Sequence, residues 1–367
     1  MNTEFYTLDE IRDQANLWQD TYNRYEENKE ELNKFLKEIY DKHGKVRVIF
    51  TGAGTSQYVG DTILPELKNH SNKYEFFSIG TTDIVANPKE FLINEPTILV
   101  SFARSGNSPE SVAACDKAQE EIDDLYQVVI TCAKEGKLAQ RSRKDDNTFL
   151  FLLNEKTNDR GFAMTSSFTD MSLAALLTFD KKNDKEKEEI TKDIINAAKD
   201  LISREEEIEA ITKKYDYERV VYTGSGSLGG LTREAQLKIL ELTAGEIATV
   251  FDTSMGFRHG PKSFINDKTM FFNFVSNDDY TAQYDKDILN EVKADEVAVS
   301  TIAITTRDLE FDSFKVNSKA PDGYLAIVYI IFAQFFACYT AIKVGNDVDN
   351  PSKSHTVNRV VKGVTIH

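Results

Sequence analysis

VRVIFTGAGTS at residues 46–56 is an apolar, β-branched run that ends in a glycine-rich turn, and the stretch after it can be helical as far as Lys68. Short apolar runs bounded by glycine are typical of buried strands. A strand, a turn and a helix in this order form the repeating unit of a doubly wound parallel sheet. We therefore predict an α/β fold whose sheet is covered by helices on both faces.

The same order of strand, turn and helix recurs along the chain. RVVYTGSGSLGG at residues 219–230 restarts it, and the turn TGSGS at Thr223 matches TGAGTS at Thr51 at an offset of 172 residues. We interpret this match as an internal duplication that gives two tandem, flavodoxin-like modules. The other predicted strands begin at Thr97 and Gln127 and cover residues 149–153, 246–252, 270–275 and 296–305.

Composition and periodicity divide the chain into five segments. Near the N-terminus, Ile11, Trp18, Tyr22, Tyr25, Leu32 and Leu36 recur at helical steps that keep them on one face of a helix. Residues 181–214 are rich in Lys, Glu and Asp, with Ile and Leu at helical spacing, which predicts a solvated connecting helix. The predicted segments are an N-terminal helical extension (1–43), a first module (44–180), a connecting helix (181–216), a second module (217–345) and a C-terminal tail (346–367).

The charge of the chain excludes one class of partner. Its 367 residues carry a formal net charge of −16, and no stretch is rich in Lys or Arg. Such a chain cannot release counterions from a nucleic-acid backbone, so we expect no nucleic-acid partner. A small anionic substrate stays open, because helix N-termini and backbone N–H groups bind phosphate whatever the net charge of the molecule.

Cysteine spacing and hydropathy indicate a cytoplasmic protein. Cys115, Cys132 and Cys338 have the spacing of neither a disulfide framework nor a zinc site, so we expect no metal and a reducing compartment. The first twenty residues carry acids throughout, unlike a signal or transit peptide. The apolar run at 325–342 is nearly long enough to span a membrane, yet it contains Gln334 and stands alone. We predict that it is a buried core helix and that the protein has no membrane partner.

The loop SFARSGNSPES at residues 101–111 is typical of a phosphate cradle. It follows a predicted strand, Gly106 permits a turn, and Pro109 suits the first turn of a helix whose free N–H groups attract an anion. The alternative is that Ser108 is an ordinary N-cap and Arg104 a surface charge, and the local pattern does not decide between the two. The candidate phosphate ligands in this loop are Arg104, Ser105, Asn107 and Ser108.

The turn after the first strand offers the same arrangement. Gly54, Thr55 and Ser56 again place a flexible position and two hydroxyls at the start of a predicted helix. This turn has the same two interpretations. Two such loops in one module favour phosphate binding.

A dinucleotide-binding fingerprint competes with this interpretation. Gly224, Gly226 and Gly229 fit GxGxxG after a predicted strand, and Asp252 ends the next strand where a ribose-binding acid is expected. Against it, the equivalent turn of the first module has Gln57 in place of the third glycine. The duplicated unit therefore does not depend on a nicotinamide cofactor, and we expect none.

The helix predicted after this turn carries three charges on one face. Glu234, Lys238 and Glu241 are spaced by four and three residues, and without further information an exposed, ion-paired stripe explains them. His259, in the segment FRHGP, lies between turn-forming residues, and a lone loop histidine is usually just exposed. Neither feature identifies a reaction by itself.

Taken together, these segments resemble the sugar-isomerase (SIS) domain family, whose modules bind phosphosugars on a doubly wound α/β sheet. GAGTS at 52–56 and RSGNS at 104–108 resemble the two phosphosugar loops. REAQLKILEL at 233–242 and RHGP at 258–261 resemble the catalytic segment of the isomerase half of glucosamine-6-phosphate synthase. The resemblance covers nearly the whole chain after the N-terminal helix.

Two further segments resemble one group within the family, the tagatose-6-phosphate ketose/aldose isomerases, also described as galactosamine-6-phosphate deaminase/isomerases. They are GFAMTSSFT at 161–169, which contains Thr165 and Ser166, and NPSKSHTVNRVVKGV at 350–364, which contains His355. The resemblance implies that Thr165 and Ser166 bind substrate. It also implies that the tail lies near the active site, with His355 as a possible contact.

The resemblance implies a role for each matching residue. Glu241 matches the carboxylate that moves a proton between C1 and C2 of the sugar, and His259 matches the histidine that opens the sugar ring. The phosphate loops depart from the synthase at Ala103, which replaces a phosphate-binding serine. The implied phosphosugar ligands are Gly54, Thr55, Ser56, Arg104, Ser105, Asn107 and Ser108.

The implied activity is aldose/ketose isomerisation of a sugar phosphate, with the deaminating conversion of galactosamine 6-phosphate to tagatose 6-phosphate favoured. The expected partners are the sugar phosphate and further copies of the chain, in a homodimer or higher homo-oligomer. Two alternatives stay open. One is a non-catalytic SIS protein that senses sugar phosphates, and the other is an NAD(P)-binding oxidoreductase.

Overall fold

The computed structural model describes residues 5–68, 73–354, 356–360 and 363–367. The chain divides into two units, which we name after the predicted modules and describe separately. The first-module unit comprises Asn16–Asp159, Ser166–Asp184 and Val357–His367, and the second-module unit comprises Met1–Ala15, Arg160–Thr165 and Lys185–Thr356.

The N-terminal segment is one long helix, α1 (Tyr6–His43). Its predicted apolar face is buried at Ile11, Trp18 and Leu32. Within the first-module unit the indole N–H of Trp18 donates to the Thr169 hydroxyl at 3.0 Å, which satisfies its only polar atom. The amphipathic pattern therefore predicted both the helix and its buried face.

Aspartate 349 caps the start of α1 within the second-module unit. Its carboxylate accepts the backbone N–H groups of Tyr6 and Thr7, at 2.8 and 2.9 Å, and the Thr7 hydroxyl at 2.7 Å. The first N–H groups of a helix have no partner inside the helix, and a negative charge also complements the helix dipole. The start of α1 is thus held by a residue 342 positions away from Thr7.

The first-module unit is built on a parallel sheet. Five strands form it: β1 (Val46–Thr51), β2 (Tyr74–Ser78), β3 (Thr97–Ala103), β4 (Leu125–Thr131) and β5 (Thr148–Leu152). They pair in the order β2-β1-β3-β4-β5. Every residue of β1 and β3 is buried, as expected for central strands covered by helices on both faces.

Six helices connect and cover these strands. They are α2 (Thr55–Lys68), α3 (Thr81–Ala86), α4 (Pro88–Phe91), α5 (Pro109–Glu121), α6 (Lys137–Ser142) and α7 (Ser166–Phe179). All of α7 is buried, and it packs against α2. A short 3₁₀ turn (Glu155–Thr157) precedes the segment that leads into α7.

The predicted connecting helix consists of two helices. They are α8 (Asp184–Ser203) and α9 (Glu205–Lys214), and Arg204 between them leaves helical geometry, with φ −105° and ψ 23°. The guanidinium of Arg204 donates to the Lys315 carbonyl at 2.6 Å and lies over the Phe314 ring. The expectation of one solvated helix was wrong, because α8 buries a stripe of apolar residues and Arg204 is held by tertiary contacts.

The second-module unit repeats the architecture of the first. Its strands are β6 (Arg219–Gly224), β7 (Ala248–Thr253), β8 (Thr269–Phe274), β9 (Ser300–Thr305) and β10 (Ser313–Lys315), and its remaining helices are α10 (Ser227–Leu242), α11 (Thr281–Asp295) and α12 (Asp322–Lys343). The strands are parallel in the order β10-β9-β8-β6-β7, which matches the order of the first sheet strand by strand. The predicted α/β fold with two tandem modules is confirmed.

The last helix, α12, is long and apolar enough to cross a membrane by length and composition, but 89% of its apolar window is buried inside the structure. It packs against α9 and α10. Its polar residue Gln334 accepts a hydrogen bond from the Gln14 side chain at 2.8 Å. The prediction of a buried core helix is confirmed.

An aromatic cluster joins α12 to the second sheet and generates a stability prediction. Phe272 on β8 contacts Phe336 edge-on at 4.7 Å between ring centroids and stacks on Tyr222 at 5.4 Å. Because it is fully buried, Phe272→Ala should lower the free energy of unfolding by about 3–5 kcal/mol, measured by urea denaturation. The control Phe251→Ala, at an exposed position on β7, should cost less than about 1 kcal/mol. Equal losses in the two variants would contradict this description of the core.

Candidate functional site

The two predicted phosphosugar loops follow the central strands of the first-module sheet. The turn after β1 and the loop after β3 lie at the same end of the sheet, because Thr51 and Ser101 are partners in the ladder. The chain leaves β1 toward β2 on one side, whereas β3 lies on the other side. Such a switch in strand order opens a crevice at the carboxyl ends of the strands, which is where doubly wound proteins bind ligands.

Glycine is required in the turn after β1. Gly54 has φ +55°, and a Cβ atom on Gly52 would lie 2.5 Å from the backbone of Ser56. The tight turn that these two glycines allow is followed directly by α2, which begins at Thr55. The side chains of Thr55 and Ser56 are therefore in the first turn of α2, where a helix attracts anions.

The loop after β3 presents backbone donors without acceptors. Ser108 is the N-cap residue of α5, and Gly106 has φ +64°. Across the part of the chain that the structure describes, the N–H groups of Ser105, Gly106 and Ser108 donate to no protein acceptor. Unpaired N–H groups at a helix start form an anion site when their partner is a ligand.

Asn107 has a structural contact in this loop. Its side-chain oxygen accepts the Lys137 N–H at 3.1 Å, and its own N–H donates to the Ser105 hydroxyl at 3.3 Å. The first of these bonds fastens the loop to the start of α6. The predicted ligand role of Asn107 stays a prediction.

Arg104 is buried and contacts the C-terminal tail. Its Nη2 donates to the carbonyl of Arg359 at 2.6 Å. The Arg359 guanidinium in turn donates to the Asp159 carbonyl, at 2.9 Å from Nε, and to the Asn158 side chain at 3.0 Å. Sequence analysis did not single out Arg359, and His355, the predicted tail contact, lies outside the described residues.

Thr165 and Ser166 lie at the start of α7 and are buried. Asp159 already supplies the anion there, because its carboxylate accepts the N–H groups of Ser166 and Ser167 at 2.9 and 3.0 Å. The Thr165 carbonyl accepts the Gln334 amide at 3.4 Å. The substrate-binding role of these two residues stays a prediction.

Glu234, Lys238 and Glu241 form a buried ion triad on α10. The Lys238 Nζ lies 3.1 Å from Glu234 Oε1 and 2.9 Å from Glu241 Oε2, and it also donates to the Met164 carbonyl at 3.4 Å. The side chains of Lys238 and Glu234 are fully buried, whereas that of Glu241 is 26% exposed. The interpretation as a solvated stripe was wrong.

The triad sets the charge state of its lysine. Burial alone lowers the pKa of Lys238, but the attraction of the Glu234 and Glu241 carboxylates outweighs it and raises that pKa to about 12. Lys238 is therefore a permanent cation at neutral pH. Glu241 is the only member of the triad whose side chain is partly exposed and therefore accessible to a ligand.

His259 is exposed on the segment after β7. It follows a short 3₁₀ helix (Gly256–Arg258), and its N–H donates to the Gly256 carbonyl at 2.8 Å. Among the residues that the structure describes, its side chain makes no hydrogen bond or ion pair. Lys238 thus forms one ion pair with Glu241 and another with Glu234, and among the described residues no ion pair or hydrogen bond links Glu241 to His259.

A carboxylate of the same unit lies against the GxGxxG turn of the second module. Ser225 in this turn donates its hydroxyl to the Asp285 carboxylate at 2.6 Å. A carboxylate at this position repels the pyrophosphate that the dinucleotide interpretation requires. The Asp252 carboxylate accepts the N–H of its own neighbour Thr253 at 2.6 Å.

The chain as a whole is similar to proteins of known family and structure. Residues 39–180 and 213–343 match the SIS domain family. D-galactosamine-6-phosphate deaminase AgaS of Escherichia coli is 39% identical over 100% of this chain and 96% of its own length, and the AgaS of Shewanella sp. (strain ANA-3) is 37% identical over 99% and 92%. The crystal structure of tagatose-6-phosphate ketose/aldose isomerase from Escherichia coli superposes with a TM-score of 0.91 at 36% identity, covering 99% of this chain and 97% of that one. The chain belongs to the SIS domain family.

Proposed function

We propose that this protein is a deaminating sugar-phosphate aldose/ketose isomerase that converts galactosamine 6-phosphate to tagatose 6-phosphate and ammonia. The observation that carries the proposal is Glu241, a partly exposed carboxylate held at 2.9 Å by a buried lysine. A positioned carboxylate of this kind is suited to general acid–base catalysis. The substrate is suggested by the full-length similarity to D-galactosamine-6-phosphate deaminases.

The phosphate group of the substrate is assigned to the first module. The unpaired N–H groups of Ser105, Gly106 and Ser108 support this assignment, as does the start of α2 at Thr55. A phosphate accepts several such bonds at once, and each is strengthened by its charge. Arg104, which donates to the Arg359 carbonyl, adds a cation next to this loop.

The reaction needs one proton moved between two carbons and a second moved from nitrogen to oxygen. His259 assists opening of the sugar ring, and Glu241 then takes the proton from C2 of the open-chain aldehyde and returns it at C1. With an amino group on C2, the nitrogen gives up one proton and the C1 oxygen gains one, which leaves a ketimine at C2 and a hydroxyl group at C1. Water adds to the ketimine, the C–N bond breaks, and ammonia and the ketose phosphate are released.

Lys238 positions Glu241 for this step. Its Nζ donates a hydrogen bond to Glu241 Oε2 at 2.9 Å, and this contact fixes the direction in which the Glu241 carboxylate points. Plain isomerisation of a hydroxy sugar would use the same base, and the names of the full-length relatives favour deamination.

The protein is further proposed to act in the cytoplasm as a homodimer or higher homo-oligomer, without nucleic-acid or membrane partners. A sensor without turnover is the second candidate. Binding of hexosamine phosphates with no ammonia release would favour it.

Replacement of the proposed base tests the mechanism. Glu241→Gln should lower kcat about 10²–10⁴-fold in an assay of ammonia release from galactosamine 6-phosphate, because the amide cannot accept the proton. Affinity for the non-reactive sugar alcohol phosphate should change little. The exposed Glu246→Gln is the matched control and should behave as wild type.

Hydrogen exchange provides an independent check of the same step. In deuterated water, NMR should show deuterium at C1 of the product with wild type and none with Glu241→Gln. Wild-type turnover in Glu241→Gln would rule out the assignment.

Removal of the buried cation should destabilise the protein in a pH-dependent way. Lys238→Met removes the cation that lies 3.1 Å from the fully buried Glu234 carboxylate, which should cost about 3–5 kcal/mol in the free energy of unfolding. Loss of a neighbouring cation raises the pKa of a buried carboxylate, so the folded variant binds a proton more readily than the folded wild type does. The loss should therefore be smaller at about pH 5 than at about pH 8.

Urea denaturation of wild type and variant at the two pH values measures this difference. The exposed Lys199→Met serves as the control and should stay within about 0.5 kcal/mol of wild type at both pH values. A loss for Lys238→Met that grows on acidification would contradict the assigned burial of Glu234.

A phosphate-loop variant separates binding from chemistry. Ser105→Ala should raise KM about tenfold, because one hydrogen bond to a charged group contributes about 1.5–3 kcal/mol, while kcat should change little. Steady-state ammonia release measures both constants. The exposed Ser203→Ala is the control, and a fall in kcat at unchanged KM would contradict the proposed role of this loop.

A further inference from the structure

Asp285 on α11 connects the carboxyl ends of three neighbouring strands in the second-module unit. It is fully buried, and its carboxylate accepts the Ser225 hydroxyl at 2.6 Å, the Ser254 hydroxyl at 2.5 Å and the Ser276 N–H at 2.9 Å. These donors follow β6, β7 and β8 respectively. One internal carboxylate thus occupies the strand-order switch point of this sheet.

The two modules correspond residue by residue in this region. Thr51 pairs with Ser101 in the first sheet and Thr223 pairs with Asn273 in the second, each at an offset of 172 residues. The helices α5 and α11, which follow β3 and β8, begin at the same offset. The position of Asp285 therefore corresponds to Ala113 in the first module.

The turns after β2 and β7, the strands that pair with β1 and β6 at the edge of each sheet, correspond as well. The N–H of Thr81 donates to the Gly52 carbonyl, and the N–H of Ser254 donates to the Gly224 carbonyl, both at 2.8 Å. Ser254 uses its hydroxyl on Asp285. The equivalent hydroxyl of Thr81 is buried and has no hydrogen-bond partner within the described part of the chain.

Backbone donors in the loop after the central strand are used differently in the two modules. In the second module the Asn277 N–H and the Ser276 hydroxyl donate to Asp322, at 2.8 and 2.5 Å, in addition to the bond from the Ser276 N–H to Asp285. In the first module the corresponding loop keeps unpaired N–H groups at Ser105 and Gly106. In the second module these backbone donors are therefore paired with aspartates of the same unit. Those of Ser105 and Gly106 in the first module have no acceptor among the described residues.

Hydrogen-bond donors and a cation surround Asp285. Burial outweighs them and raises the pKa of Asp285, while its three hydrogen bonds and the Arg307 cation act in the opposite direction. The Arg307 Nε donates to the Ser276 carbonyl at 3.0 Å and its Nη1 to the Asp279 carboxylate at 2.8 Å. Hydroxyl and N–H donors that converge in this way bind a carboxylate or a phosphate oxygen equally well.

We propose that Asp285 occupies the second module's copy of the phosphate-binding crevice, so that this module holds an internal carboxylate where the first module holds the phosphate of its ligand. The first-module half of this statement rests on the proposed function. Each chain then binds one sugar phosphate, and the second crevice becomes an anion site only when the carboxylate is removed.

The variant Asp285→Ala tests the proposal with inorganic phosphate as the probe. Removal of the carboxylate leaves three donors and a space next to Arg307, so isothermal titration should detect about one more phosphate per chain than in wild type. The Tm of the variant should also rise more steeply with phosphate concentration than that of wild type, at constant ionic strength. Asp285→Asn, which keeps the volume of the side chain, should gain no site.

A folded Asp285→Ala variant with no additional phosphate site would overturn the proposal. Should that variant fail to fold, the wild-type stoichiometry decides: about one phosphate per chain supports the proposal, and two contradict it. Failure of the proposed function has a different signature. In that case wild type and Ser105→Ala would bind phosphate alike, while Asp285→Ala would still gain its site.

Discussion

The backbone N–H groups at the start of a helix need a negatively charged or polar partner, and this requirement organises the protein. Asp349 supplies the partner for α1, and Asp159 supplies it for α7. The loop before α5 has no such partner among the described residues. A helix start of this kind, at the switch point of a parallel sheet, is prepared for an external anion.

Local patterns were sufficient to predict the repeated α/β fold and the glycine turns after β1 and β3. A glycine turn after a buried strand is a short-range signal, and Gly54 and Gly106 both have the positive φ that such turns require. The edge strands β2 and β10 were not predicted. Edge strands are short and partly exposed, so their sequences, such as SFK in β10, lack a distinctive apolar pattern.

Features that depend on distant contacts could not be predicted in the same way. Lys238 and its two glutamates have the spacing of a surface stripe, and only their tertiary surroundings reveal that Lys238 and Glu234 are buried. Arg359 lies 255 residues from Arg104 in sequence, and no local motif links the two. The position of the Asp285 carboxylate likewise could not be predicted, because its three hydrogen-bond donors follow three different strands.

The cap on α1 has a consequence for the order of events during synthesis. Thr7 is synthesised 342 residues before Asp349, which holds it. The beginning of α1 must therefore wait, without its cap, until Asp349 has been translated. The second-module unit consequently cannot be completed while the chain that leads to Asp349 is still being made.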